Sequence, residues 1–194
     1  MSDDKYEMVS VPKKDTNAGR PKGKKKYVVL FNWNDIDEYE RNPKGVLVTK
    51  FSFKPGKKPI GVYATDKSIK INHSSEGDKD AKGFIHNTEF EHPGTELEID
   101  EFLNNNINED LGSIVFSCSG QLAKIAGTPC TPQEIDQTEG QDDNEADKTK
   151  IVLKSSIRGN TIGRIDKSLI PKTGNAEIDT ALGLTSSGSG SGGL

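Results

Sequence analysis

The longest clearly apolar run in the chain is Tyr27-Val28-Val29-Leu30-Phe31, five residues, and a fold has to be assembled from pieces of that size. A helix that crosses a bilayer needs about 20 consecutive apolar residues, so no such span is expected. A run this short, β-branched and aromatic, followed by the turn-rich Asn32-Trp33-Asn34-Asp35, suits a short buried strand. The other apolar segments have similar lengths. Val46–Phe53 passes from a continuous run into strict alternation, and Ile60–Ala64, Ser68–Asn72 and Phe84–Phe90 follow as further strands. Lys54-Pro55-Gly56-Lys57-Lys58-Pro59 reads as the turn of a hairpin joining the second and third of these, which makes the first half a β-meander.

One stretch has a helical period. Thr95 with Glu98 three residues on forms a capping-box pattern, and Ile99, Phe102, Leu103 and Ile107 recur on one face behind an acidic first turn. The spacing predicts about three turns that end before Gly112 and lie on the sheet. Ser113–Cys118 and Gln121–Ala126 flank Ser119-Gly120 as a second hairpin, and Thr149–Ser156 and Thr161–Ile165 complete eight or nine strands. A short helix starting at Asn175 is expected within Pro171–Leu184. The expected fold is mainly β: a β-sandwich or barrel of about eight strands with one packed α-helix and extended arms.

At 194 residues one domain is expected. Its apolar share of 31%, with mean hydropathy −0.69, is low against the roughly 45–50% of an ordinary globular domain. The core must be thin, and some segments should be ordered only by a partner. Met1–Val11 carries Asp3, Asp4, Lys5 and Glu7 where a secretory signal needs an apolar stretch, so no export signal is expected. Two cysteines, Cys118 and Cys130, are too few for a disulfide framework and fit a reducing compartment.

The formal charge of −4 conceals an asymmetry. Residues 1–26 hold eight Lys and Arg against four acids, including the cluster Arg20, Lys22, Lys24, Lys25 and Lys26. Gln133–Asp147 holds Glu134, Asp136, Glu139, Asp142, Asp143, Glu145 and Asp147 with no Lys or Arg. The chain therefore divides into a basic extended arm (1–25), a β domain (26–166) with an acidic insertion (133–147), and a C-terminal arm with a Ser/Gly-rich tail (167–194).

No complete catalytic constellation is visible. His73, His86, His92, Cys118 and Cys130 are dispersed singly, without metal-ligand spacing, and fit surface or strand-face histidines and small buried cysteines. Asp78–Glu89 mimics a calcium loop, but Lys82 occupies a ligand position and strands flank it, so a charged hairpin loop is the better reading. Neither a nucleophile elbow nor a family-specific cysteine motif is present. No cofactor or metal is expected, and Trp33 reads as a packing anchor.

The basic arm, the β-meander, the helix after His92-Pro93-Gly94, the strand pair around Ser119-Gly120, the acidic insertion and the last strand at Thr149–Ser156 follow one another in a particular order. With Phe90-Glu91-His92-Pro93-Gly94 and Gly127-Thr128-Pro129-Cys130, that organisation over about Lys26–Ile165 resembles bacteriophage major tail tube proteins. The resemblance implies a non-enzymatic virion component, made in the host cytoplasm, whose subunits form stacked, usually hexameric rings lining a DNA channel. It further implies contacts with other tail proteins, DNA that passes without specific binding, and no membrane partner. On this reading the seven acids of 133–147 are candidate channel-facing residues, and Arg20, Lys22, Lys24, Lys25 and Lys26 are candidate arm contacts. A single-stranded nucleic-acid-binding barrel is the alternative from another class, disfavoured by 6% aromatics and the internal acidic segment. A head-decoration or joining protein is the third.

Overall fold

The computed structural model describes residues 8–184. The first part of the basic arm (1–7) and the Ser/Gly tail (185–194) lie outside the described residues. In chain order the elements are β1 (Lys24–Asn32), a 3-10 turn (Trp33–Asp35), β2 (Ile36–Arg41), β3 (Leu47–Phe53), β4 (Ile60–Tyr63) and β5 (Lys70–Glu76). There follow β6 (Gly83–Pro93), α1 (Leu97–Asn106), β7 (Leu111–Ser117), β8 (Leu122–Ala126), β9 (Gln133–Asp142) and β10 (Asp147–Ser155). β11 (Gly163–Asp166), a second 3-10 turn (Lys167–Leu169) and α2 (Ala176–Leu182) complete the described chain. The fold is mainly β, with eleven strands and two α-helices among the described residues, and fits the expected sandwich or barrel class.

The hydrogen-bonded path runs β2-β3-β11-β8-β7-β9-β10-β6-β5, and β1 lies between β4 and β7. β7 and β9 are joined by only one residue pair, Leu111↔Gln133. The sheet therefore behaves as two layers: β4-β1-β7-β8-β11-β3-β2 and β9-β10-β6-β5. Among the described residues every ladder is antiparallel except β11 with β3.

Alternation along β1 and β7 explains how a thin apolar content suffices. Val28, Leu30 and Val115 point into one core with Phe90, Ile135, Ile151 and Leu153 of the second layer. Val29, Phe31, Ile114 and Phe116 point the other way, into a second core with Val48, Phe51, Ile125 and Ile165. One strand pair thus serves two cores, which is why its sequence is a continuous apolar run rather than an alternation. Gly112 stands opposite Phe31 in the β1–β7 ladder, and a Cβ there would run into the Phe31 ring. That ring meets Trp33 at 4.9 Å and Phe51 at 5.2 Å, both edge-on. Trp33, 6% exposed, is the packing anchor expected of it.

Several expectations are corrected. The first half is not a meander. Pro55 and Gly56 (φ 79°) do make the turn, with Lys57 N–H donating to Lys54 O, but both edges of β3 are occupied by β2 and β11, so β4 pairs β1 instead. α1 spans ten residues from Leu97 and lacks the capping box: its N-cap is Glu96, without a side-chain cap bond, and Thr95 donates to Asp147. Ile99 is buried, Phe102 and Leu103 pack on the first core, and Ile107 is exposed. Residues 167–184 are not an arm, since Ile170, Leu182 and Leu184 bury in the second core. α2 starts after Asn175 as expected, with the Asn175 side chain accepting from the amides of Glu177 and Ile178.

Candidate assembly surfaces

The acidic segment is not an inserted loop. Gln133–Asp142 is β9, paired along its length with β10. Gln133 and Ile135 turn inward and Glu134 and Asp136 outward, as the two-residue period of a strand requires. The register slips between Ile135↔Leu153 and Gln137↔Val152, so Asp136 is the extra residue of a bulge. The turn is built by Asp143, whose carboxylate accepts from the Gln141 side chain and from the amides of Glu145 and Ala146. Those bonds, the Gln141 one foremost, hold its pKa below the usual aspartate value. The tip is pinned to the start of α1: Thr95 Oγ1 donates to Asp147 Oδ1 (2.8 Å) and Gly94 N–H to Asp147 O (3.0 Å).

β10 brings lysines to the acids. Lys150 lies 3.8 Å from Glu139 and 3.7 Å from Glu89, Lys70 lies 3.0 Å from Glu89, and Lys148 lies 3.4 Å from Glu91. The outer face of this layer is therefore a mixed ladder of charge, and Glu139 belongs to it. Glu134 accepts from Ser156 Oγ (3.3 Å). Negative charge stays in excess at the tip, with Asp142, Asp143, Glu145 and Asp147, and along the edge, with Glu134 and Asp136. The lysines were legible in the sequence as Lys148-Thr149-Lys150 and Lys154, at a period of two, but they belong to the neighbouring strand and escape a count confined to 133–147.

Beyond Gln133 the other side of β9 has no backbone partner among the described residues, so Glu134–Asp142 is an open strand edge. Among the described residues β2, β4 and β5 are also paired on one side only. Such edges present rows of unsatisfied N–H and C=O groups to any strand that can align with them, and outward charges restrict which strand can.

The basic cluster divides. Arg20 and Lys22 lie in a segment exposed at every position from Met8 to Gly23, with Met8, Val9 and Val11 among the bare apolar side chains. Lys24, Lys25 and Lys26 are not arm residues but open β1. Lys25 Nζ donates to Ala181 O (2.7 Å) at the end of α2, where a cation suits the negative pole of the helix. Burial and then the nearby Lys167 lower the Lys25 pKa. Lys26 pairs with Asp66 at 3.6 Å.

The dispersed histidines and cysteines do not assemble, and no group of three metal-ligating side chains occurs among the described residues. Both cysteines are free and exposed rather than buried, since each sits in a loop beyond the sheet. Asp78–Lys82 is a charged β5–β6 loop and Gly83–Glu89 is strand. His86 is buried: its Nε2 lies 2.7 Å from Asn160 O, and its Nδ1 accepts from Gly127 N–H (2.9 Å). Beside the one-pair seam, Gln133 Oε1 accepts from Ser113 Oγ (2.7 Å), and Gln133 Nε2 donates to Thr88 Oγ1 and Leu153 O (both 3.3 Å). These buried polar groups satisfy one another across the two layers.

No family model, no curated protein and no solved structure matches this chain.

Proposed function

We propose that this chain is a structural subunit that assembles with copies of itself, edge to edge, into rings of the tail-tube type that stack around a DNA channel. The open edge of β9 carries the reading. A pinned hairpin presents backbone from Glu134 to Asp142 with one side unpaired, and a strand supplied by a neighbouring subunit satisfies those groups. The exposed arm from Met8 to Gly23, with three bare apolar side chains, supports it, because such a segment gains order only on another surface. The low apolar content fits a subunit whose burial is completed between copies. Within this reading the outward acids along β9, Glu134 and Asp136, supply the negative potential that keeps passing DNA from adhering to the wall.

Sedimentation over a wide concentration range, with negative-stain microscopy of the same samples, tests the proposal. Concentration-dependent rings or tubes are expected. A strict monomer at high concentration, in low and in high salt, would remove it.

A further inference from the structure

Among the described residues two like-charge pairs face each other across antiparallel ladders. Lys124 of β8 stands opposite Arg164 of β11, and Asp142 of β9 stands opposite Asp147 of β10. Like charges directly opposite one another destabilise the ladder that holds them. Neither pair has a neutralising partner: none of Lys124, Arg164, Asp142 and Asp147 enters an ion pair among the described residues.

The surroundings of the basic pair suggest a surface awaiting cover. Ala126 and Ile162 lie in the first core. Two residues along from each, Lys124 and Arg164 fall on the same face of the sheet, beyond the layer that covers it. Leu122 and Leu47, the next side chains on that face, are 44% and 36% exposed. Lys24 adds a third cation, and burial followed by the nearby Arg164 and Lys24 lowers the Lys124 pKa. A half-buried ammonium beside two cations is relieved by an incoming carboxylate.

We propose that this β3–β11–β8 face, uncovered among the described residues and carrying Lys124 and Arg164 with Leu47 and Leu122 and with Lys24 nearby on β1, receives the acidic hairpin tip, Asp142–Glu145, of a second copy of this chain. The contact rests on the self-assembly reading above and names a surface for it. Tip and face are different patches, so the contact is head-to-tail and propagates from copy to copy until it closes or stacks. Charge complementarity sets partner choice and encounter rate, and the flanking leucines supply apolar area to bury. A hairpin stiffened by the Asp143 turn and by the Thr95 bond loses little freedom on docking.

The test is a charge swap. Lys124→Glu with Arg164→Glu in one variant, and Asp142→Lys with Glu145→Lys in another, should each weaken self-association tenfold or more while the dilute protein melts no lower than the wild type, the second variant slightly higher because Lys at 142 then faces Asp147. Lys124→Met with Arg164→Gln, which keeps side-chain bulk, should give a smaller loss in the same direction. Mixing the two reversed variants one to one should restore association, because each reversed face then meets a reversed tip and each native face a native tip. If the wild type assembles and the reversals assemble equally well, this contact is wrong and the edge reading stands. If the wild type does not associate at all, the self-assembly reading fails and this contact with it. Loss of binding to a short DNA duplex in the Lys124→Glu, Arg164→Glu variant, with self-association unchanged, would make the face a nucleic-acid surface and overturn the proposal.

Discussion

β1 with β7, and β9 with β10, are both antiparallel strand pairs, yet different forces hold them. The first pair buries both faces: Val28, Val29, Leu30, Ile114, Val115 and Phe116 are all 1% exposed or less. The second buries one face with Ile135, Ile151 and Leu153, and gives the other to Glu134, Glu139, Lys148, Lys150 and Lys154. Backbone ladder and cross-strand charge carry the hairpin, whereas apolar contact in two directions carries the wall. The wall is where the subunit is stable, and the hairpin is where it has backbone and charge left to offer a partner.

The largest effect should come from the wall. Phe116→Ala removes a fully buried ring from the second core and should cost about 3–5 kcal/mol, read from denaturant unfolding. A loss under about 1 kcal/mol would mean that the wall does not dominate stability. Gly112→Ala, on the same strand, forces a methyl group against the Phe31 ring and should cost about 1–3 kcal/mol despite adding only one carbon.

His86, on the hairpin's layer, gives a pH signature. Burial lowers its pKa from 6.5, and Arg41 and His73 act in the same direction against the hydrogen bond to Asn160. The unfolded state therefore binds the proton more readily, so the stability this site contributes is complete above about pH 6.5 and falls as pH drops toward the folded pKa. His86→Gln should be less stable at neutral pH but should lose less stability than the wild type between pH 6.5 and 5. Parallel stability curves for the two proteins would count against a neutral buried ring. The smallest effect belongs to the hairpin's outer face. Lys150→Met breaks partly exposed pairs with Glu89 and Glu139 and should change stability by less than about 1 kcal/mol, with a smaller salt dependence than the wild type because the Lys70–Glu89 and Lys148–Glu91 pairs remain.

The same contrast decides what the sequence made legible. Tyr27–Phe31 and Ser113–Cys118 were readable as strands because burial dictates their residue types. Ile99, Phe102 and Leu103 were readable as a helix face for the same reason. Gln133–Asp142 was not: only Gln133 and Ile135 are buried, and the bulge at Asp136 breaks the alternation, so tertiary pairing with β10 overrides a loop-like composition. β2 was missed likewise, since Ile36 is its only buried residue. Local turn chemistry placed the Pro55-Gly56 turn but not the partner of β4, because occupancy of the edges of β3 is a property of the whole sheet. The open edge of β9, and the opposition of Lys124 to Arg164, depend on register and had no local signal at all.

Amide hydrogen exchange at residue resolution, on dilute and on concentrated protein, tests the central claim most directly. In dilute protein the Val28–Phe31 and Ile114–Phe116 amides should exchange slowly, and those Glu134–Asp142 amides that face away from β10 should exchange fast. In concentrated protein the wall should stay as it was and the β9 edge should become protected. Fast exchange along that edge in both samples, in a preparation that sedimentation shows to be assembled, would contradict assembly through β9.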